Sequence, residues 1–265
     1  MNVSLYKKGI KESYKLWLII LAVMSMYISI VISMYNPDIG NIMDELVKAM
    51  PGIMELFGMK DSGTTLLSFM ANYLYGMIFL IFPMIFTIMV TNGLIAKQVE
   101  GGSMVYLLAA PSSRKKVAVT QLLVLLTGVI SLILVASLIG WLAAQVMFPG
   151  HLELELYWKL NASLLCLHLF IAGICFLSSS FFNETKWSLS LGAGIPILSY
   201  VIQMIANLGG KYENAKYASF FTFFSPQNII GQQDGVVLAA SILLIGSLIL
   251  YGLAISTFTK KDLPL

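Results

Sequence analysis

Six uninterrupted apolar runs decide what this chain can become. They cover residues 16–35, 66–95, 117–148, 160–182, 188–207 and 237–257, and none holds an Asp, Glu, Lys or Arg inside it. About twenty apolar residues in a helix cross the hydrocarbon core of a bilayer, so each run is near or above spanning length. With 58% hydrophobic and only 11% charged residues, the chain cannot clothe itself as a water-soluble domain, where about a quarter of residues are charged. The expectation is an all-α polytopic membrane protein with six transmembrane helices, forming a single domain over residues 1–265. Lys7, Lys8, Lys11 and Lys15 precede the first run as in a signal peptide. Its apolar stretch is too long for a signal core and no small-residue cleavage site follows Tyr35, so it reads as a retained span.

Charge orders the two faces. With six spans the termini share a side, and that side carries eleven basic residues: the four lysines above, Lys97, Arg114, Lys115, Lys116, Lys186, Lys260 and Lys261. The other side carries five, Lys48, Lys60, Lys159, Lys211 and Lys216. The positive-inside rule then predicts cytoplasmic termini and a cytoplasmic loop 96–116. The net charge of +3 is thus a topological signal, with no nucleic-acid partner implied.

Residues 1–15 place Val3, Tyr6, Ile10, Tyr14 and, beyond them, Trp17 on one stripe, which predicts an interfacial helix that turns into the first span. Residues 36–65 predict a small external cap, split by Pro51-Gly52 into a piece with Ile42, Leu46 and Val47 and another with Ile53, Leu56 and Phe57. Span two, about 30 residues long, must tilt or project. Pro83 in that span and Pro196 in span five each free a backbone carbonyl and invite a kink. Ala136, Gly140 and Ala144, and likewise Ser188, Gly192 and Pro196, set small residues at every fourth position, a spacing for close helix approach within the chain or between chains. Cys166 and Cys175 stand nine residues apart in span four, about 13 Å of rise and on roughly opposite faces, too far to bond to each other.

Catalytic chemistry is not legible. The spans hold neutral polar groups such as Asn72, Gln121, Gln145 and Gln203, and His168 is the one titratable candidate, reading as a hydrogen-bonded packing residue without a carboxylate partner. No metal-binding cluster, nucleophile–base pair or redox CxxC is present, and GGKY at 209–212 lacks phosphate-loop spacing. No cofactor is expected in this chain. The chain cannot hydrolyse ATP alone, so energy for any transport must come from elsewhere.

The most informative stretch is AKQVEGGSMVYLLAAPSSRKKVAVTQ, residues 96–121. Glu100-Gly101-Gly102 lets the chain leave span two, and Ser103 is placed to cap a short helix with Met104, Leu107 and Leu108 on one face. Pro111 stops that helix, and Ser112-Ser113 can cap span three, which opens with Arg114-Lys115-Lys116. This stretch resembles the first cytoplasmic loop of the type 2 ABC exporter permeases. PGIMELFG at 51–58, FFSPQNII at 223–230 and the FTKKDL ending resemble further segments of that family in the same order. Gly102-Ser103 departs from the Thr that many relatives carry after a single Gly.

The resemblance implies a permease without catalytic activity of its own, its loop 96–116 forming a short cytoplasmic coupling helix against an ABC ATPase. Glu100, Gly101 and Gly102 would shape the lead-in, Leu107 and Leu108 would enter the ATPase groove, and Pro111 and Arg114 would fix the exit. It further implies two permease chains, alike or different, with two copies of the ATPase, which binds ATP and Mg. Gly192 and Pro196 would sit at the permease dimer contact. The setting implied is a bacterial plasma membrane, and the cargo an amphipathic peptide, toxin or drug. Small permeases of this build are similar to peptide exporters, the phenol-soluble modulin exporters among them, and to multidrug exporters. Two alternatives compete: a toxin-immunity or sensor protein without transport, and an ATP-independent secondary transporter, which predicts midplane ion-coupling groups.

Overall fold

A computed structural model describes residues 1–36, 51–56, 65–104 and 113–261. Among the described residues, six helices are long and apolar enough to cross a membrane: α1 (Val3–Met34), α2 (Leu66–Glu100), α3 (Arg114–Met147), α4 (Leu154–Phe181), α5 (Thr185–Asn207) and α6 (Val236–Lys260). Each covers one of the apolar runs to within a residue, and no strand occurs among the described residues. The fold is an all-α polytopic bundle. On the face opposite the termini, helix Pro51–Leu56 starts at the proline of the Pro-Gly pair, where the missing N–H costs nothing. The rest of the expected cap lies outside the described residues.

Burial ranks the helices. α2 and α4 are the most enclosed and α6 the least. α4 packs against α6, α5, α2 and α3, whereas α1 leans mainly on α3. Two glycines bring α4 and α6 together: a Cβ on Gly173 would stand 2.9 Å from Leu250, and one on Gly246 would stand 2.8 Å from Phe170. Ala136, Gly140 and Ala144 are all buried within the chain, so their spacing serves internal packing.

The first helix differs from the sequence expectation. Residues 3–34 form one unbroken helix of 32 residues, about 48 Å long. Residues 3–15 are continuous with span one, with no break between them. A ladder of side chains explains this, because each rung fixes the helix against α3. Asn2 N donates to Thr120 Oγ1 (2.9 Å), Tyr6 Oη to Thr127 Oγ1 (3.0 Å) and Trp17 Nε1 to Ser131 Oγ (3.1 Å). Tyr6 and Trp17 of the predicted stripe therefore face α3, while Val3 and Tyr14 of the same stripe are exposed.

α2 is irregular. It runs as α-helix over Leu66–Met70, as π-helix over Ala71–Ile78 and as α-helix again over Phe79–Leu94, with a break at Ile95 before Ala96–Glu100. The wide π-turns carry Tyr75 into the bundle, where its hydroxyl donates to Asn161 Oδ1 at 2.9 Å. Ser137 Oγ lies 2.6 Å from the same oxygen, Asn161 Nδ2 donates to Tyr157 O (2.8 Å) and Tyr157 Oη donates to Ser137 O. Spans two, three and four are thus pinned around one buried carboxamide.

Both membrane prolines are repaired by span four. Pro83 cannot donate to Phe79 O, four residues back, and His168 Nε2 takes the vacant place at 2.8 Å. A carbonyl only accepts, so Nε2 carries the proton. Pro196 likewise cannot donate to Gly192 O, and Cys175 Sγ donates there instead at 3.1 Å. His168 is the packing residue its sequence suggests, and Cys175 is more than a small buried apolar side chain.

Candidate coupling site at the loop 96–116

The loop leaves α2 through a carboxylate. Glu100 Oε2 accepts from Thr185 N at 3.1 Å, so an acid on span two caps the first turn of α5, whose N–H groups have no partner within the helix. Gly101 N bonds back to Lys97 O (3.1 Å), and Gly102 adopts a positive φ of 70°, which a side chain would resist. Ser103 is already helical, and its hydroxyl donates to Gln98 O at 3.2 Å. It fastens the turn backward, and the backbone groups it is expected to cap lie outside the described residues. Leu107, Leu108 and Pro111 lie outside the described residues.

The loop enters α3 through a guanidinium. Ser113 caps α3 by accepting from Lys116 N (3.3 Å), as expected. Arg114 Nη1 donates to Lys261 O at 2.8 Å, immediately beyond α6. The Lys261 ammonium in turn donates to Phe182 O (2.5 Å) and Ser180 O (3.2 Å), at the end of α4. A cation at a helix C-terminus satisfies carbonyls that the helix leaves free. Half-burial pulls the Lys261 ammonium down to about 8.

The two ends of one loop thus grip both sides of the turn between α4 and α5. Glu100 holds the start of α5, and Arg114 reaches the end of α4 through Lys261. α1 follows α3 through its ladder, so a hydrogen-bonded path leads from the loop to all six helices. Sequence reasoning missed Lys261 and Thr185 as parts of the site: the Lys261 ammonium meets main-chain carbonyls, which no side-chain pattern announces, and Thr185 contributes a backbone N–H. The same end of the bundle holds buried polar atoms without a hydrogen-bond partner among the described residues: Asn92 Oδ1, Gln98 Oε1, both amide atoms of Gln121, Ser180 Oγ and Asn183 Oδ1.

Gly192 and Pro196, expected at a dimer contact, are buried within the chain. A Cβ on Gly192 would lie 3.4 Å from Ser178 and 3.6 Å from Cys175, both on α4. Their small size admits span four. Leu191, Ile195 and Leu198 form the exposed side of the same helix. No group of three or more His, Cys, Asp or Glu able to hold a metal is found among the described residues.

The fold and site define a polytopic helical membrane protein with a braced loop on the side of its termini. The family model for ABC-2 family transporter proteins matches residues 3–263, and the chain belongs to that family. It is therefore a membrane component of a transporter, in a family whose members are not themselves catalytic and typically work with an ABC ATPase. No curated protein and no solved structure matches the chain.

Proposed function

We propose that this chain is the permease subunit of an ATP-driven exporter that moves amphipathic cargo, a peptide, toxin or drug, out of the cytoplasm or inner leaflet. Two permease chains, alike or different, work with two copies of a separate ATPase that binds ATP and Mg. Both termini and the loop 96–116 face the cytoplasm of a bacterial cell. The supporting observation is the double anchoring of that loop through Glu100 and Arg114. A loop held at both ends to different helices delivers a push from outside as a movement of the bundle, whereas a loop tied only by its chain ends would absorb it.

Glu100, Gly101, Gly102 and Arg114 act as the frame, and Leu107, Leu108 and Pro111 as the surface the ATPase meets. A permease dimer formed through span five would use the exposed Leu191 side. The Met- and aromatic-rich membrane surfaces suit amphipathic cargo, because the thioether adapts to varied shapes, and the cargo proposed is a peptide of the phenol-soluble modulin kind.

Replacing both Leu107 and Leu108 by Asp tests the assignment. The double variant is expected to insert and fold while losing ATPase stimulation and export. Normal stimulation and export by that variant would overturn the coupling role.

A further inference from the structure

We propose that the groove between the start of α1 and the last third of α2 binds an acidic phospholipid from the leaflet on the side of the termini. The groove encloses about 470 Å³ and opens at the surface. Its polarity changes along its length. At the outer rim stand Lys8 and Glu12 from α1, and Lys97, Gln98 and Ser103 from the end of α2. At the inner end the lining is aliphatic, formed by Leu16, Met89 and Val90. From Lys8 to Leu16 the helix rises about 12 Å, so an occupant needs a polar head and an apolar tail set along one axis.

The rim selects the sign of the head. Lys8 lies 3.8 Å from Glu12, so one positive charge is offset, but Lys97 has no carboxylate within ion-pair distance among the described residues. The balance favours an anion and disfavours a cationic peptide. Gln98 Oε1 is buried without a partner among the described residues and supplies an acceptor for a headgroup hydroxyl, which a phosphoglycerol head provides. The groove is also geometrically fixed. Gly9 is pressed against Val124 of α3, where a Cβ would meet the valine methyls at 2.9–3.0 Å, so α1 cannot close inward. Gly93 on the opposite wall has nothing within 4 Å of where a Cβ would stand, which leaves the floor open to an acyl chain.

The test is native mass spectrometry of the full chain in mild detergent, titrated with phosphatidylglycerol, with phosphatidylcholine, and with inorganic phosphate. Phosphatidylglycerol is expected to bind about ten-fold more tightly than phosphatidylcholine, and Lys8→Gln and Lys97→Gln each to weaken it about five-fold. Gly93→Leu, whose Cβ meets nothing within 4 Å, is expected to expel the lipid and leave the thermal midpoint in lipid-free detergent unchanged. Lys15→Gln, on the same helix but outside the groove, is expected to change nothing. Equal binding of the two lipids, or unchanged phosphatidylglycerol binding by Gly93→Leu and the two rim variants, would overturn the proposal. So would displacement of the lipid by inorganic phosphate alone, which marks a free-anion site, or by an acidic amphipathic peptide at lower concentration, which marks a peptide groove.

Discussion

The side of the bundle away from the termini and the side that carries them treat buried polarity differently. Away from the termini, Tyr75, Ser137, Tyr157 and Asn161 satisfy one another around one carboxamide, and His168 meets the carbonyl freed by Pro83, while Trp141 Nε1 and His168 Nδ1 have no partner among the described residues. At the terminal end, Asn92, Gln98, Gln121 and Asn183 keep buried polar atoms unpaired among the described residues, next to the Glu100 and Lys261 contacts. Fully paired polar groups in a medium without water resist rearrangement, because every alternative leaves one of them bare. Unpaired ones gain from a new arrangement that finds them partners. On the proposed coupling role, the contrast is that of a fulcrum and a working end.

The comparison breaks most readily at Asn161. Asn161→Ala removes the shared acceptor of Tyr75 and Ser137 and is expected to cost about 2 kcal/mol, read as a lower unfolding midpoint in detergent. Asn92→Ala, at the working end, should cost less than half as much; equal losses would erase the distinction between the two regions. Next comes the pairing of His168 with Pro83. His168→Leu strands the Phe79 carbonyl and is expected to cost about 1–2 kcal/mol. It should cost little in a Pro83→Ala background, where the backbone N–H restored at that position takes over the carbonyl. Additive losses in this double-mutant cycle would show that the histidine does not compensate the proline. The equivalent cycle of Cys175→Ala with Pro196→Ala should show the same sign with a smaller coupling, below about 1 kcal/mol, since a thiol is a weak donor.

A pH-dependent effect concerns Lys261. Its proton is held less tightly in the folded chain, at about 8, than in an unfolded one, where lysine titrates near 10.4. Between those values the unfolded state binds more protons, so this residue's contribution to stability rises with pH across the window and is flat below it. Lys261→Met removes that slope. The stability difference between wild type and Lys261→Met should therefore drift in favour of wild type from about pH 8 to pH 10 in thermal unfolding. A constant difference would mean that the ammonium is not desolvated at the end of α4.

The sequence makes the six spans legible because crossing a bilayer demands length and apolarity, and both are written locally. The described ends of loop 96–116 are legible for the same reason: Gly102 and Ser113 act within a few residues of themselves. The partners of the prolines are not. Pro83 announces a free carbonyl, but the side chain that meets it stands in another span, and a histidine in an apolar run does not say which carbonyl it faces. Gly192 misleads in a related way, since small residues at every fourth position announce a close neighbour without naming it. The continuity of α1 depends on three hydrogen bonds to α3 that no periodicity within residues 1–15 encodes. Lys261 reads as one more basic residue on the positive side, and only folding sets it between the ends of α4 and α6.

The measurement that tests the central claim most directly is recovery of the full chain from its own cell in mild detergent, assayed for bound ATPase activity. The account predicts a stoichiometric ATPase of separate sequence that co-purifies with the wild-type chain and is lost with the Leu107→Asp, Leu108→Asp variant. A folded, intact chain recovered without any nucleotide-hydrolysing partner would contradict it.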